Sequence, residues 1–230
     1  MTGRHRAAAE TTADVEAEGR NAGLSATGVS FRRGGRNILD GVSLKVEPGT
    51  SLAVTGPSGS GKSSLLALLA GLETPDEGTV RREPPDAVLG LVLQAYGLVG
   101  LLTGAENVEI ALQRRLRDGR LDRAEIRRRA TEALDTVGLS AVADHLVEEL
   151  SGGQQQRVAI ARALAVRPGI VLADEFTAEL DDVSRAHAVQ VVLDVARRGG
   201  IVVVATHDPQ IAAACDHVLH LVDGVAHDER

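Results

Sequence analysis

Residues 50–71 read TSLAVTGPSGSGKSSLLALLAG. The opening TSLAVTG, bounded by Pro48-Gly49 before and Gly56 within, predicts a short buried strand. The closing KSSLLALLAG predicts a helix stopped by Gly71. Between them GPSGSGKS, Gly56 to Ser63, meets every fixed position of the phosphate-loop pattern, in the strand-to-helix context that gives the pattern meaning. Gly56, Gly59 and Gly61 let the backbone wrap phosphates with its N–H groups. Pro57, Ser58, Ser60 and Ser64 complete the candidate nucleotide-binding stretch. Lys62 brings a point charge to the β- and γ-phosphates, and the Ser63 hydroxyl suits Mg²⁺. Lys62 is one of only two lysines, the other being Lys45. A plain Gly/Ser turn is the alternative, and the complete spacing argues against it.

A second anion cradle is written later in the chain. LSGGQQQRVAIARALAV, Leu150 to Val166, puts a serine and two glycines before a helical apolar repeat. Free N–H groups and the dipole at a helix N-terminus favour negative charge. A chain of this size raises the question of why it needs two.

The chain has 230 residues, enough for one sizeable core and a small subdomain. Aromatics make up 1%, so the core must be built from Leu, Val, Ala and Ile. A formal charge of -7 argues against nucleic acid as the main partner. The single Cys215 has no internal disulfide partner and fits a reducing compartment. No apolar run approaches the ~20 residues of a membrane span. The first 22 residues, rich in Ala, Thr, Glu and Arg, predict a disordered tail without a secretory signal.

Along residues 23–230, ATGVSFRR and GVSLKVEP predict strands around the turn RRGGRN. AVLGLVLQ predicts the next apolar strand. From Tyr96 to about Arg167 three helical patterns, AENVEIALQRRLR, DRAEIRRRATEALDTVG and QQQRVAIARALAVR, predict a helical subdomain inserted in an α/β core. GIVLAD, IVVVATH and HVLHLVDG predict strands, the last being final, with a helix over Ser184 to Arg198. Strands alternating with helices imply a mostly parallel sheet covered on both faces.

GIVLADEFT delivers two carboxylates to a strand end, where α/β sites lie. Asp174 would hold Mg²⁺ through water, and Glu175 would polarise an attacking water. An acidic pair alone is more often a solvated turn; beside a phosphate loop the balance reverses. Gln94 ends LGLVLQ, where it would reach Mg²⁺ and the water or simply begin a loop. His207 ends VVVATH, where it would donate to a γ-phosphate or cap the turn HDP. CDHVLH is rejected as a metal site, because His217 and His220, three apart on a strand, face opposite ways. RRLRDGRLDRAEIRRR reads as a solvated basic face.

With these parts in order, the chain from about Leu24 to Gly224 resembles the ATP-binding subunits of ABC transporters. The phosphate loop, Gln94, LSGGQ, VLADE with AELD, and His207 recur in the family's order, and LSGGQ is the most specific of them. The resemblance implies a phosphate-loop NTPase fold with an N-terminal antiparallel β portion. It implies ATP and Mg²⁺ as ligands, the metal held by Ser63, Gln94 and Asp174. It implies catalysis by Glu175, His207, Gln94 and Lys62. It also answers the question of the second cradle: in the family two domains pack head to tail. Ser151, Gly152, Gly153 and Gln154 would then meet the γ-phosphate of the partner's ATP, with Asp181 along the seam. Phe31 would sit under the adenine, where the family commonly has Tyr. Phe176 stands where the family has Pro, which puts the position of Glu175 in question.

The resemblance implies a homodimer with composite ATP sites. It implies a permease partner in the membrane, and a cytoplasmic location, peripheral on the inner face through that permease. Within the family the chain is similar to the bacterial exporter branch of lipoprotein-release, macrolide-export and antimicrobial-peptide-resistance systems. A soluble relative in DNA repair or translation would carry a coiled coil, zinc modules or a second ATPase unit. A regulatory ATPase acting on a membrane partner without transport, as in cell division, remains the alternative.

Overall fold

The computed structural model describes residues 22–228. Among the described residues, two sheets, six α-helices and two short helical turns pack around a core built from a Leu/Val/Ala alphabet. The central sheet contains β3 (Ser51–Thr55), β5 (Leu89–Val92), β6 (Ile170–Asp174), β7 (Ile201–Ala205), β8 (His217–Val222) and β9 (Val225–Asp228), in the order β5-β6-β7-β3-β8-β9. Its first five strands are parallel, and β9 returns antiparallel on β8. A smaller antiparallel sheet, order β2-β1-β4, holds β1 (Gly23–Arg33), β2 (Arg36–Val46) and β4 (Glu77–Glu83). The helices are α1 (Lys62–Ala70), α2 (Gly104–Arg117), α3 (Arg123–Thr136), α4 (Gly152–Ala165), α5 (Asp182–Arg197) and α6 (Pro209–Ala214).

Every residue of β6 and β7 is buried, as expected of strands covered on both faces. Their alternation sorts the core in two. Val171, Ala173, Val202 and Val204 point to the side covered by α2, α3, α4 and α5. Ile170, Leu172, Ile201 and Val203 point to the side covered by α1 and the small sheet. Both phenylalanines of the chain, Phe31 and Phe176, are buried, one in each half.

Several expectations shift. β4 has no counterpart in the sequence reading: EGTVRRE carries one large apolar residue, Val80, and most of it is exposed, so no period marks it. The hairpin strands β1 and β2 are longer than expected, and the turn shrinks to Gly34-Gly35. HVLHLV is not the last strand, since β9 follows it. The short α6 is unforeseen, its six residues too few to show a period. The basic stretch is not wholly a solvated face: Arg115 and Arg129 are buried, and Arg129 pairs with Glu125 at 2.8 Å. The predicted tail over residues 1–22 lies outside the described residues except for Ala22.

Candidate nucleotide site

Strand register brings the polar residues to one level. Val54 of β3 pairs with Ala205 of β7, which pairs with Asp174 of β6, and Val92 of β5 pairs with Ala173. Gly56, His207, Glu175 and Gln94 therefore leave the sheet together at its C-terminal edge. Gln94 and His207 each stand two residues past their strands, not at the strand ends as expected.

The phosphate loop fits between β2 and β8. Gly56 has φ 135°, and a Cβ there would lie 2.0 Å from the Leu221 carbonyl oxygen. Gly61 has φ 103°, and its Cβ would lie 2.8 Å from the Ile38 oxygen. Any side chain at either position displaces backbone. Gly61 is also the N-cap of α1, and no side chain caps that helix. Its first N–H groups are left for an anion. Lys62 is 8% exposed, and its Nζ donates to the Gly56 and Pro57 carbonyls at 2.9 Å each. The ammonium thus hangs over the loop.

Asp174 is buried, and its Oδ1 has no hydrogen-bond partner. Burial pushes its pKa up and the Glu175 charge adds to this, while the Ser63 hydroxyl and Lys62 pull it down. An orphaned carboxylate oxygen beside a serine hydroxyl suits a hard divalent cation, so the donor set fits Mg²⁺. Among the described residues, no group of three or more His, Cys, Asp and Glu is placed to hold a metal by itself.

Glu175 takes the left-handed backbone, φ 47°, unusual for a side chain with a Cβ. Its N–H donates to the Ala205 carbonyl, and its Oε2 lies 2.7 Å from His207 Nδ1. The next residue, Phe176, turns into the core at 1% exposure. Proline is therefore not required to separate the two side chains: the left-handed turn leaves the carboxylate at the sheet edge while the ring anchors below.

Gln94 is exposed in the turn after β5. The loop that follows is held by two residues the sequence reading missed. Arg162 of α4 donates to the Tyr96 and Gly97 carbonyls, and the buried Asn107 exchanges two hydrogen bonds with Val99. An arginine inside an otherwise apolar helical pattern was the available signal.

Phe31 does not offer a platform for a base. It shares the inward face of β1 with Val29, is 7% exposed, and has the Arg33 guanidinium carbon 6.0 Å from its ring centroid. The residue that stands out at this end of the hairpin is Arg33, paired with Glu73. Strand alternation, not residue type, decides this.

The LSGGQ segment lies elsewhere, against the loop after β6. Ser151 is the N-cap of α4: its Oγ accepts from Gln154 N–H, and the Gln154 side chain accepts from Ser151 N–H. A Cβ on Gly153 would lie 2.8 Å from the Glu179 oxygen. The cap uses the hydroxyl as acceptor and engages the Gln154 N–H, so the hydroxyl proton and the Gly152 and Gly153 N–H groups can still meet an anion. His217 is exposed, and His220 Nδ1 lies 2.9 Å from Thr55 Oγ1.

A phosphate loop on a parallel sheet, with an acidic strand end beside it, defines a nucleotide-binding α/β protein of the phosphate-loop class. The family model described as ABC transporter matches residues 39–178. The lipoprotein-releasing system ATP-binding protein LolD of Pseudomonas fluorescens is 40% identical over 219 residues, covering 86% of this chain and 92% of that one. An uncharacterized ABC transporter ATP-binding protein of Mycobacterium bovis is 38% identical over 210 residues, and there the chain spans only 62% of the relative's length. Among solved structures, a dimeric ATP-binding cassette in a post-hydrolysis state bound to ADP and Pi superposes with a TM-score of 0.82. It is 35% identical, with 90% of this chain and 99% of that chain covered. The chain belongs to the ABC transporter ATP-binding family.

Proposed function

We propose that the chain hydrolyses ATP between two copies packed head to tail, and that closure and opening of this dimer drive a separate membrane permease. The observation that carries the reading is the Glu175–His207 pair at 2.7 Å beside the uncapped N-terminus of α1, with the second cradle built on another element. One chain carries both halves of a site, on different helices. A solved ATP-binding cassette 35% identical to this chain is a dimer bound to ADP and Pi, which supports a dimeric reading.

Lys62 and the α1 N–H groups would bind the β- and γ-phosphates. Mg²⁺, held through Ser63, Asp174 and Gln94, would supply charge neutralisation on the same oxygens. Glu175 orients a water in line with the γ-phosphorus and accepts its proton as the O–P bond forms and the bond to ADP breaks. His207 holds the Glu175 carboxylate and donates to the departing phosphate. Ser151 and the Gly152 and Gly153 N–H groups of the second copy stabilise the charge that develops. In this reading a permease would hold the protein peripherally at the cytoplasmic face; among the described residues no helix is long and apolar enough to cross a membrane.

Glu175→Gln tests the reading. The amide keeps size but cannot take the proton, so ATP should bind, stay intact and hold a dimer by size exclusion with light scattering, whereas ADP should leave monomer. Adding Ser151→Arg should abolish the dimer and spare ATP binding by the monomer. A double mutant that still dimerises places LSGGQ in the chain's own pocket and ends the head-to-tail reading.

A further inference from the structure

Glu175 sits in a backbone conformation that needs support. A left-handed non-glycine residue is strained and persists where its surroundings over-determine it. Backbone bonds supply part of the support: Glu175 N–H to Ala205, Ala178 N–H to the Glu175 carbonyl, and Leu180 N–H to Thr177. Among the described residues, side-chain hydrogen bonds to the backbone of Glu175 and Glu179 come from Gln156. This residue is 1% exposed, and its amide spans the segment. Its Nε2 donates to the Glu175 carbonyl at 3.2 Å, and its Oε1 accepts from the Glu179 N–H at 2.9 Å. Both ends of the turn Glu175–Glu179 are thereby tied to one rigid group. Phe176, within the turn, is fully buried and removes the remaining freedom.

Gln156 stands on α4, one turn past Ser151, Gly152 and Gly153. Gly152 and Gly153 lie close against Glu179, the residue Gln156 holds, and a side chain on Gly153 would meet its backbone oxygen. The helix whose first turn would meet one nucleotide is thus hydrogen-bonded to the turn that presents the base to another. We propose that Gln156 is the positioning residue for Glu175: its amide keeps the left-handed turn formed and the carboxylate against His207, and it ties that placement to the helix that begins with LSGGQ. The inference rests on Glu175 being the base.

Gln156→Met keeps the length and volume of the side chain and removes both hydrogen bonds. Misplacement of a reacting group by about 1 Å lowers rate on the order of a hundredfold, so kcat should fall between about ten- and a hundredfold. The Kd for ATP, set by the phosphate loop, should stay within about twofold. The decisive readout is a double-mutant cycle with Glu175→Gln. If Gln156 acts through Glu175, adding Gln156→Met to Glu175→Gln lowers the residual rate no further. If Gln156 only supports the fold, the two losses multiply, and the proposal is overturned. Gln156→Asn, too short to span Glu175 and Glu179, repeats the test should the methionine variant not fold. Unchanged kcat in a folded variant also overturns it. A Glu175→Gln single variant with full activity would instead remove the base on which both readings stand.

Discussion

Lys62 shows how much one side chain carries. An ammonium has three N–H donors, and two of them go to the Gly56 and Pro57 carbonyls. The third, and the charge, remain for a phosphate. A hydrogen bond to a charged group contributes about 1.5–3 kcal/mol, so Lys62→Ala should weaken ATP binding roughly ten- to a hundredfold by isothermal titration. Unchanged affinity would remove Lys62 from the site. Phe176 offers the opposite case, a family departure that the core has absorbed. Its ring is among the largest fully buried side chains, and deleting such a ring costs about 3–5 kcal/mol. Phe176→Pro should therefore lower both the melting temperature and steady-state turnover. A rise in turnover would mean that Glu175 is misplaced in the natural chain.

At the scale of elements, α3 is held by its own charges. Asp122 caps it by accepting from Glu125 N–H, and the Glu125 carboxylate accepts from Arg128 and from the buried Arg129. The Arg128 hydrogen bond chiefly, then Arg129, lowers the Glu125 pKa from 4.5 to about 2 against a partial burial that raises it. The folded value lies below the unfolded one, so this stabilisation is complete above the ordinary carboxylate range and is lost as pH falls toward 2. Glu125→Gln should lower the melting temperature at neutral pH and shrink that difference progressively below about pH 4.5. Thermal melts across that range check it, and a difference that grows on acidification would contradict it. The helix α4 plays a wider part. It caps itself at Ser151, clamps the Glu175 turn through Gln156 and holds the loop after Gln94 through Arg162.

At the scale of the whole molecule, α2 and the loop before it carry several exposed apolar side chains. Leu93, Val99, Leu101 and Ile110 are all exposed, Leu101 to 75%. The loop carrying Val99 and Leu101 follows Gln94 and is tied to α4 through Arg162, so a partner seated there has a short route to the nucleotide. In the proposed function this is the permease face. The chain alone should then hydrolyse ATP slowly, and reconstitution with its permease should raise the rate at saturating ATP. A rate indifferent to the permease would argue for a partner elsewhere or for a different role.

What the sequence determined by itself is the chemistry and its order along the chain. GPSGSGKS between an apolar strand and an apolar helix, DE at the end of GIVLAD, and SGG before a helical repeat are local patterns whose meaning lies in neighbouring residues. The parallel sheet was legible because β3, β6 and β7 are buried on both faces and read as unbroken apolar runs. β4 and α6 were not legible, since an exposed edge strand and a six-residue helix have no period to detect. Only tertiary structure decided the rest. Phe31 is aromatic and correctly spaced, yet strand alternation turns it into the core. Gln156 is one of three consecutive glutamines, and nothing local separates it from Gln154 and Gln155. The packing of α4 against the loop after β6 buries that one amide and sets it across Glu175 and Glu179, residues 19 and 23 positions away. Contacts at such separations depend on how elements pack, and no window along the chain contains both partners.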